Sequence, residues 1–222
     1  MTDTRRTQRF TTERFKAFVD AVVAIAMTLL ILPLMESVSE AASSELSTAE
    51  FLSDHSGQLL SFGLSFVLIA KFWMGHHQQY RDVETVTPML LWINVAWMAT
   101  IVWLPVTTAM LGQTDTDAPQ AVIYIGTLIL TQVTTLIGWV YLLRHPELGT
   151  TSVTTMRHGI AGDAVAIALF LIALLIAVFV GSYGYLGLLL LVLSAPGERL
   201  LFRLSSRRSA AVGAGDADPE KT

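Results

Sequence analysis

The sequence predicts an all-α polytopic membrane protein with six transmembrane helices and both termini in the cytoplasm. Three observations carry that expectation. Of the 222 residues, 53% are hydrophobic and only 14% charged, against about 25% charged in ordinary soluble domains, so no water-soluble core could hide the apolar residues. These residues fall in long blocks, and the first of them is uncharged from Ala21 to Leu34. Between the blocks, Lys and Arg collect on one face of a six-helix topology, whereas both longer loops of the other face carry acids alone; that partition marks the inner side. The formal net charge of -4 says less, because placement of basic residues outweighs their sum. With no cysteine in the chain, disulfides, iron–sulfur ligation and thiol catalysis are excluded from it.

Residues 1–13 read as a basic, Thr-rich cytoplasmic lead carrying Arg5, Arg6 and Arg9. The apolar segment that follows is too long for a signal-peptide core and has no small-residue cleavage site, so it is expected to be retained as helix one. The six-helix membrane domain is assigned to 14–205 and a disordered cytoplasmic tail to 206–222.

Helix one reads RFKAFVDAVVAIAMTLLILPLM, from Arg14 to Met35. At about 1.5 Å of rise per residue, Phe15 to Leu34 reaches about 30 Å, the hydrocarbon thickness of a bilayer. Asp20 lies about one and a half turns inside Arg14 and Lys16, where an unpaired carboxylate facing lipid costs a few kcal/mol. It is therefore expected to face protein or water. Beyond it, Ile25, Thr28, Leu29 and Leu32 recur at spacings of three and four and share one helical stripe. Branched aliphatics with one hydroxyl make either a packing seam or the wall of a narrow pore, and spacing alone favours the seam.

Glu36 to Asp54 is Ser-, Ala- and Glu-rich without Lys or Arg and reads as an outer loop. Helix two is placed at about Gly57 to Tyr80, with Lys71, Trp73, His76 and His77 toward its end; RDVETVTP forms an inner turn broken at Pro88. Helix three, about Met89 to Leu111, holds Asn94 and Pro105. Asp115 and Asp117 mark the next outer loop. Helix four, about Gln120 to Leu143, is rich in Thr, including Thr127, Thr131, Thr134 and Thr135. The stretch RHPELGTTSVTTMRH, flanked by Arg144 and Arg157, is placed inside. Helix five covers about Gly159 to Val180 and contains Asp163. Helix six is expected to end near Leu193, before Arg199, Arg203, Arg207 and Arg208. Helices one and five share an Arg-to-Asp spacing and similar runs, a likeness too local to indicate duplication.

Arg14, Asp20, Lys71, His76 and Asn94 fall at comparable depths near the inner ends of the first three helices and can meet. A buried carboxylate with cationic and amide donors would satisfy hydrogen bonds that lipid cannot supply. A structural polar clamp is favoured over a proton relay or a substrate site. Histidine's unperturbed pKa of about 6.5 leaves pH sensitivity open if the clamp governs a moving element. Adjacent His76 and His77 point about 100° apart and are poorly placed to share a metal. No nucleophile elbow, zinc-protease, Walker or dinucleotide signature occurs, nor voltage-sensor spacing or a T-V-G-Y-G filter. No catalytic residue, metal or cofactor is assigned, and no nucleic-acid partner is expected.

Together these residues resemble the transmembrane protein 175 family, the lysosomal potassium channels and their shorter bacterial relatives. That family opens helix one with R-x-x-x-F-S-D and an A-I-x-x-T-L-L-like run; here stand Arg14, Phe18, Val19, Asp20, Ala24, Ile25, Thr28, Leu29 and Leu30. Its W-x-x-H element matches Trp73 with His76, and its L-x-N element with a later Pro and Thr matches Trp92, Asn94, Pro105 and Thr107. The likeness covers about Arg14 to Thr108; Val19 departs from the family serine, which bears on gating more than on fold. The resemblance implies a homotetramer whose first helices line a central pore in the cell inner membrane, potassium ions as the permeant species, and lipids and further copies of the chain as its partners. By residue, it implies Ile25 as the narrowest hydrophobic ring, with Thr28, Leu29 and Leu32 outward of it and Arg14, Asp20, Trp73, His76 and Asn94 as the clamp. On that footing the pore outranks the seam. A proton-coupled secondary transporter using Asp20, His76 and Asp163, or a non-conducting scaffold, are the alternatives.

Overall fold

Pro33 decides the shape of the first span. Proline cannot donate to the carbonyl of Leu29 and its ring crowds that group, so the helix breaks just before it. The computed structural model describes residues 2–43, 47–113 and 117–180, with side chains for 12–42, 47–111 and 117–179. In it α1 (Thr2–Leu29) ends at a turn over Leu30 and Ile31, and α2 (Leu32–Ser43) resumes the path. The junction is bridged by Ile31 N–H to the Thr28 carbonyl (3.3 Å) and Met35 N–H to the Ile31 carbonyl (3.0 Å).

After α2 come α3 (Thr48–Asp54), α4 (Ser56–Tyr80), α5 (Pro88–Gln113), α6 (Ala118–Arg144), a 3-10 turn (Pro146–Leu148) and α7 (Val153–Val180). The outer stretch expected as a loop is largely helical. Glu, Ala, Leu and Met favour helix even where hydropathy falls, and Ser47 starts α3 with a capping box. Its hydroxyl accepts from Glu50 N–H while the Glu50 carboxylate accepts from Ser47 N–H. Those bonds, the hydroxyl's first, hold the Glu50 carboxyl below its ordinary range. Helix five also begins earlier than expected, at Val153, where the Ser152 hydroxyl accepts from Thr155 N–H (3.1 Å).

Among the described residues five helical stretches are long and apolar enough to cross a membrane, the first being residues 12–42 with α1 and α2 together. The sixth helix, the arginines from Arg199 to Arg208 and the tail at 206–222 lie outside the described residues. Large apolar side chains cover the exterior, Phe179 at 80% exposure and Trp92 at 70%, as suits a surface solvated by lipid. The core is made of one stripe from each span: Val19, Val23 and Ala26 of α1, with Leu30 of the turn after it, meet Ile69 of α4, Trp97 and Ile101 of α5, Tyr124 and Leu128 of α6, and Phe170 of α7. Threonine hydroxyls on α6 return to carbonyls of their own helix, as Thr131 does to Thr127 (2.9 Å), so a Thr-rich span leaves little hydrogen bonding unmet.

A polar tie closes one end. The loops after α4 and α6 meet through the Glu84 and Thr85 N–H groups donating to the Leu148 carbonyl (2.9 and 3.0 Å) and Thr150 N–H to the Asp82 carbonyl (3.1 Å). The Gly149 backbone runs so close to Asp82 that a Cβ there would overlap the Asp82 carbonyl. The start of α1 joins the same tie, Thr12 donating to the Glu84 carbonyl (2.9 Å) and Lys16 to the Arg81 carbonyl (3.1 Å).

Candidate pore face and its polar anchors

With about 100° of rotation per residue, the buried Val19, Val23 and Ala26 of α1 fall within about 60° of one another. Thr28 then stands roughly 170° from the middle of that buried arc. The structure agrees: Ile25 is 59% exposed and Leu32 51%, with Leu29 and Thr28 also exposed on this subunit. The Thr28 hydroxyl donates to the Ile25 carbonyl (2.7 Å), which leaves its oxygen free to accept on the outward side. Among the described residues the stripe is therefore not a seam within its own subunit.

Two anchors hold α1 and its neighbours, where the sequence suggested one clamp. On the surface between α1 and α4, the Trp73 indole N–H donates to Asp20 Oδ1 (2.8 Å). Both residues are exposed on the lone subunit. Deeper, between α4 and α5, His76 is 5% and Asn94 1% exposed, and His76 Nε2 lies 2.6 Å from Asn94 Oδ1. The Asn94 amide nitrogen donates both to the Tyr80 hydroxyl and to the Leu90 carbonyl (2.8 Å each). A carbonyl only accepts, so Asn94 Oδ1 is the acceptor facing His76, and His76 carries its proton on Nε2. The imidazole is also stacked between Tyr80 and Trp97, with ring centroids 4.5 and 4.2 Å away.

Arg14 stays exposed and joins neither anchor; Lys71 and His77 are exposed as well, His77 tilted against Trp73 at 5.9 Å. Sequence reasoning missed Tyr80, although it lies one turn from His76 on the same helix face. It also missed Gln79, buried and donating to the Thr135 carbonyl (2.9 Å), and the Ser65 hydroxyl, which joins Tyr124 (2.9 Å) and Thr108 (2.8 Å). Glutamines and serines inside apolar spans were the available signal. Asp163 sits apart, accepting from the Gln132 amide of α6 (2.6 Å). The three groups proposed as proton carriers thus occupy three settings: Asp20 on the surface, His76 within an aromatic stack, Asp163 between α6 and α7. Among the described residues no cluster of His, Cys, Asp or Glu could hold a metal.

The family model described as the endosomal/lysosomal potassium channel TMEM175 matches residues 14–105. A potassium channel of Chryseobacterium sp. (strain P1-3) is 30% identical over 99 residues, 45% of this chain and 48% of that protein. One of Streptomyces collinus (strain DSM 40733 / Tue 365) is 30% identical over 100 residues, again 45% of this chain and 47% of the relative. The chain thus spans about half the length of these curated relatives. A crystal structure of a lysosomal potassium-selective channel TMEM175 homolog from Chamaesiphon minutus shares its fold, with a TM-score of 0.60 at 22% identity over 83% of this chain and 96% of that one. The protein is a multi-pass membrane protein, and across residues 14–105 it matches the transmembrane protein 175 family.

Proposed function

We propose that four copies of this chain form a potassium-permeable channel in the cell inner membrane, with α1 of each copy lining a central pore and Ile25 at its narrowest ring. One observation carries the reading: the Ile25, Thr28 and Leu29 stripe of α1, continued by Leu32 at the start of α2, is exposed on this subunit and stands away from the arc that packs into its core. Lipid does not solvate a carboxylate, and Trp73 supplies Asp20 with a single hydrogen bond. Water, another copy or a residue outside those described therefore meets Asp20, which lies about 130° around α1 from the middle of the stripe. The tie through Thr12 and Lys16 and the Trp73 bond fix the helix from the inner end, so its apolar stripe keeps one direction in every copy. The potassium channels among the relatives support the choice of ion.

Selectivity follows from a hydrophobic constriction without a carbonyl filter. Isoleucine cannot replace an ion's hydration shell, so an ion crosses with its water partly retained or stripped against an apolar barrier. Potassium holds its water less tightly than sodium and meets the smaller penalty, which gives moderate discrimination. Ile25→Asn should wet the constriction, raising single-channel conductance in planar bilayers several-fold and bringing sodium and potassium permeabilities together. Unchanged conductance in that variant, or saturating flux coupled one-for-one to protons in the parent chain, rules the pore reading out.

A further inference from the structure

A second feature lies away from α1. Between α4, α6 and α7 is a cavity of about 490 Å³, within the roughly 300–1,000 Å³ of small-ligand sites. Glycines hold it open: a Cβ at Gly75 of α4 or Gly162 of α7 would meet nothing within 4 Å. Both glycines are exposed, so the cavity opens on the flank of the spans. Phe72 and Phe170 supply apolar wall, while Lys71 and Asp163 both line it.

The two charges are not joined to each other, since no ion pair within 4.0 Å connects them among the described residues. Asp163 gives Oδ1 to Gln132, and its Oδ2 is buried without a hydrogen-bond partner. An orphaned carboxylate oxygen at membrane depth is costly, and a turn about the soft Cβ–Cγ bond would present it to the cavity. A simple cation entering here would be opposed by Lys71 and a simple anion by Asp163. A zwitterion satisfies both, its ammonium on Asp163 and its anionic group on Lys71. Of the ammonium groups, a primary one has N–H donors for the orphaned oxygen and a quaternary one has none. Asp163 lies five residues deeper than His158, about 7.5 Å along the helix, which is within reach of the interface.

We propose that this cavity binds a primary ammonium phosphate zwitterion, the headgroup of phosphatidylethanolamine, with its acyl chains along the apolar flank. The proposal is independent of the pore assignment. Its test is native mass spectrometry of the full chain in mild detergent with phosphatidylethanolamine, phosphatidylcholine and phosphatidylglycerol of equal chain length. The expected result is at least tenfold greater retention of the ethanolamine lipid, falling at least tenfold in Lys71→Gln, Asp163→Asn and Gly162→Leu. If Asp163→Asn does not fold, the comparison of ethanolamine and choline lipids on the unaltered chain still decides. O-phosphoethanolamine competing at concentrations equal to the lipid would assign the same chemistry to a soluble ligand; competition only in large excess assigns it to the lipid. Equal retention of ethanolamine and choline lipids, or retention unchanged in Lys71→Gln, overturns the proposal.

Discussion

Asn94 fills three of its four hydrogen-bonding places with partners from two helices, and that makes it the residue on which the Tyr80 end of the α4–α5 contact turns. Removing it strands the His76 Nε2–H and the Tyr80 hydroxyl in a buried site. Each buried group left unmet costs about 1–3 kcal/mol, although bonds between membrane helices measure closer to about 0.6 kcal/mol because the separated helices find other partners. Asn94→Ala should therefore destabilise the folded protein by about 1–3 kcal/mol in a detergent or urea titration. A midpoint equal to that of the parent chain would show that the network adds nothing. Asp20 behaves differently because it is exposed. Trp73→Phe deletes its donor while keeping an aromatic side chain between α1 and α4, and solvent screening limits the loss to about 1 kcal/mol. Its larger effect should be on α1, seen as faster amide exchange from Phe18 to Val22 than in the parent chain. Exchange unaltered there would mean that the bond does not hold the helix.

At the scale of helices, close approach matters as much as polarity. Gly159 lies against the Trp139 ring, where a Cβ would overlap it, so α6 and α7 touch at a point that tolerates no side chain. Gly159→Val should push them apart at a cost of about 1–3 kcal/mol, the usual range for overpacking, measured by the same unfolding titration. Full parent stability would show that the helices can shift freely. The membrane-spanning helices were legible in the sequence because twenty apolar residues in a row have few other uses. Helix two, expected to end at Tyr80, ends there. The departures came where hydropathy stops being the governing signal. VTTMRH is too polar to read as membrane, yet Ser152 caps it into the first turns of α7, and the STAE run after Glu45 carried a readable capping box that acidic composition masked. In the polar set, spacing could show that Asp20, Trp73, His76 and Asn94 share a depth. It could not show that they divide into a surface pair and a buried triad with Tyr80, because that depends on how α4 is rotated between α1 and α5.

For the whole molecule, exposure along α1 has meaning only in an assembly. One subunit leaves the Ile25 stripe open, and many lipid-facing residues such as Phe179 are as open. What marks the α1 surface is the threonine hydroxyl of Thr28 set among its exposed aliphatic residues. Four such helices around an axis would enclose a narrow apolar path with Thr28 as its polar contributor. The chain's lack of cysteine permits a direct trial of that arrangement. Ile25→Cys, reconstituted in planar bilayers with potassium on both sides, should carry current that a small water-soluble thiol reagent abolishes, while the parent chain is untouched by it. Current that persists after complete modification, or a parent chain that passes no potassium current, would contradict the account.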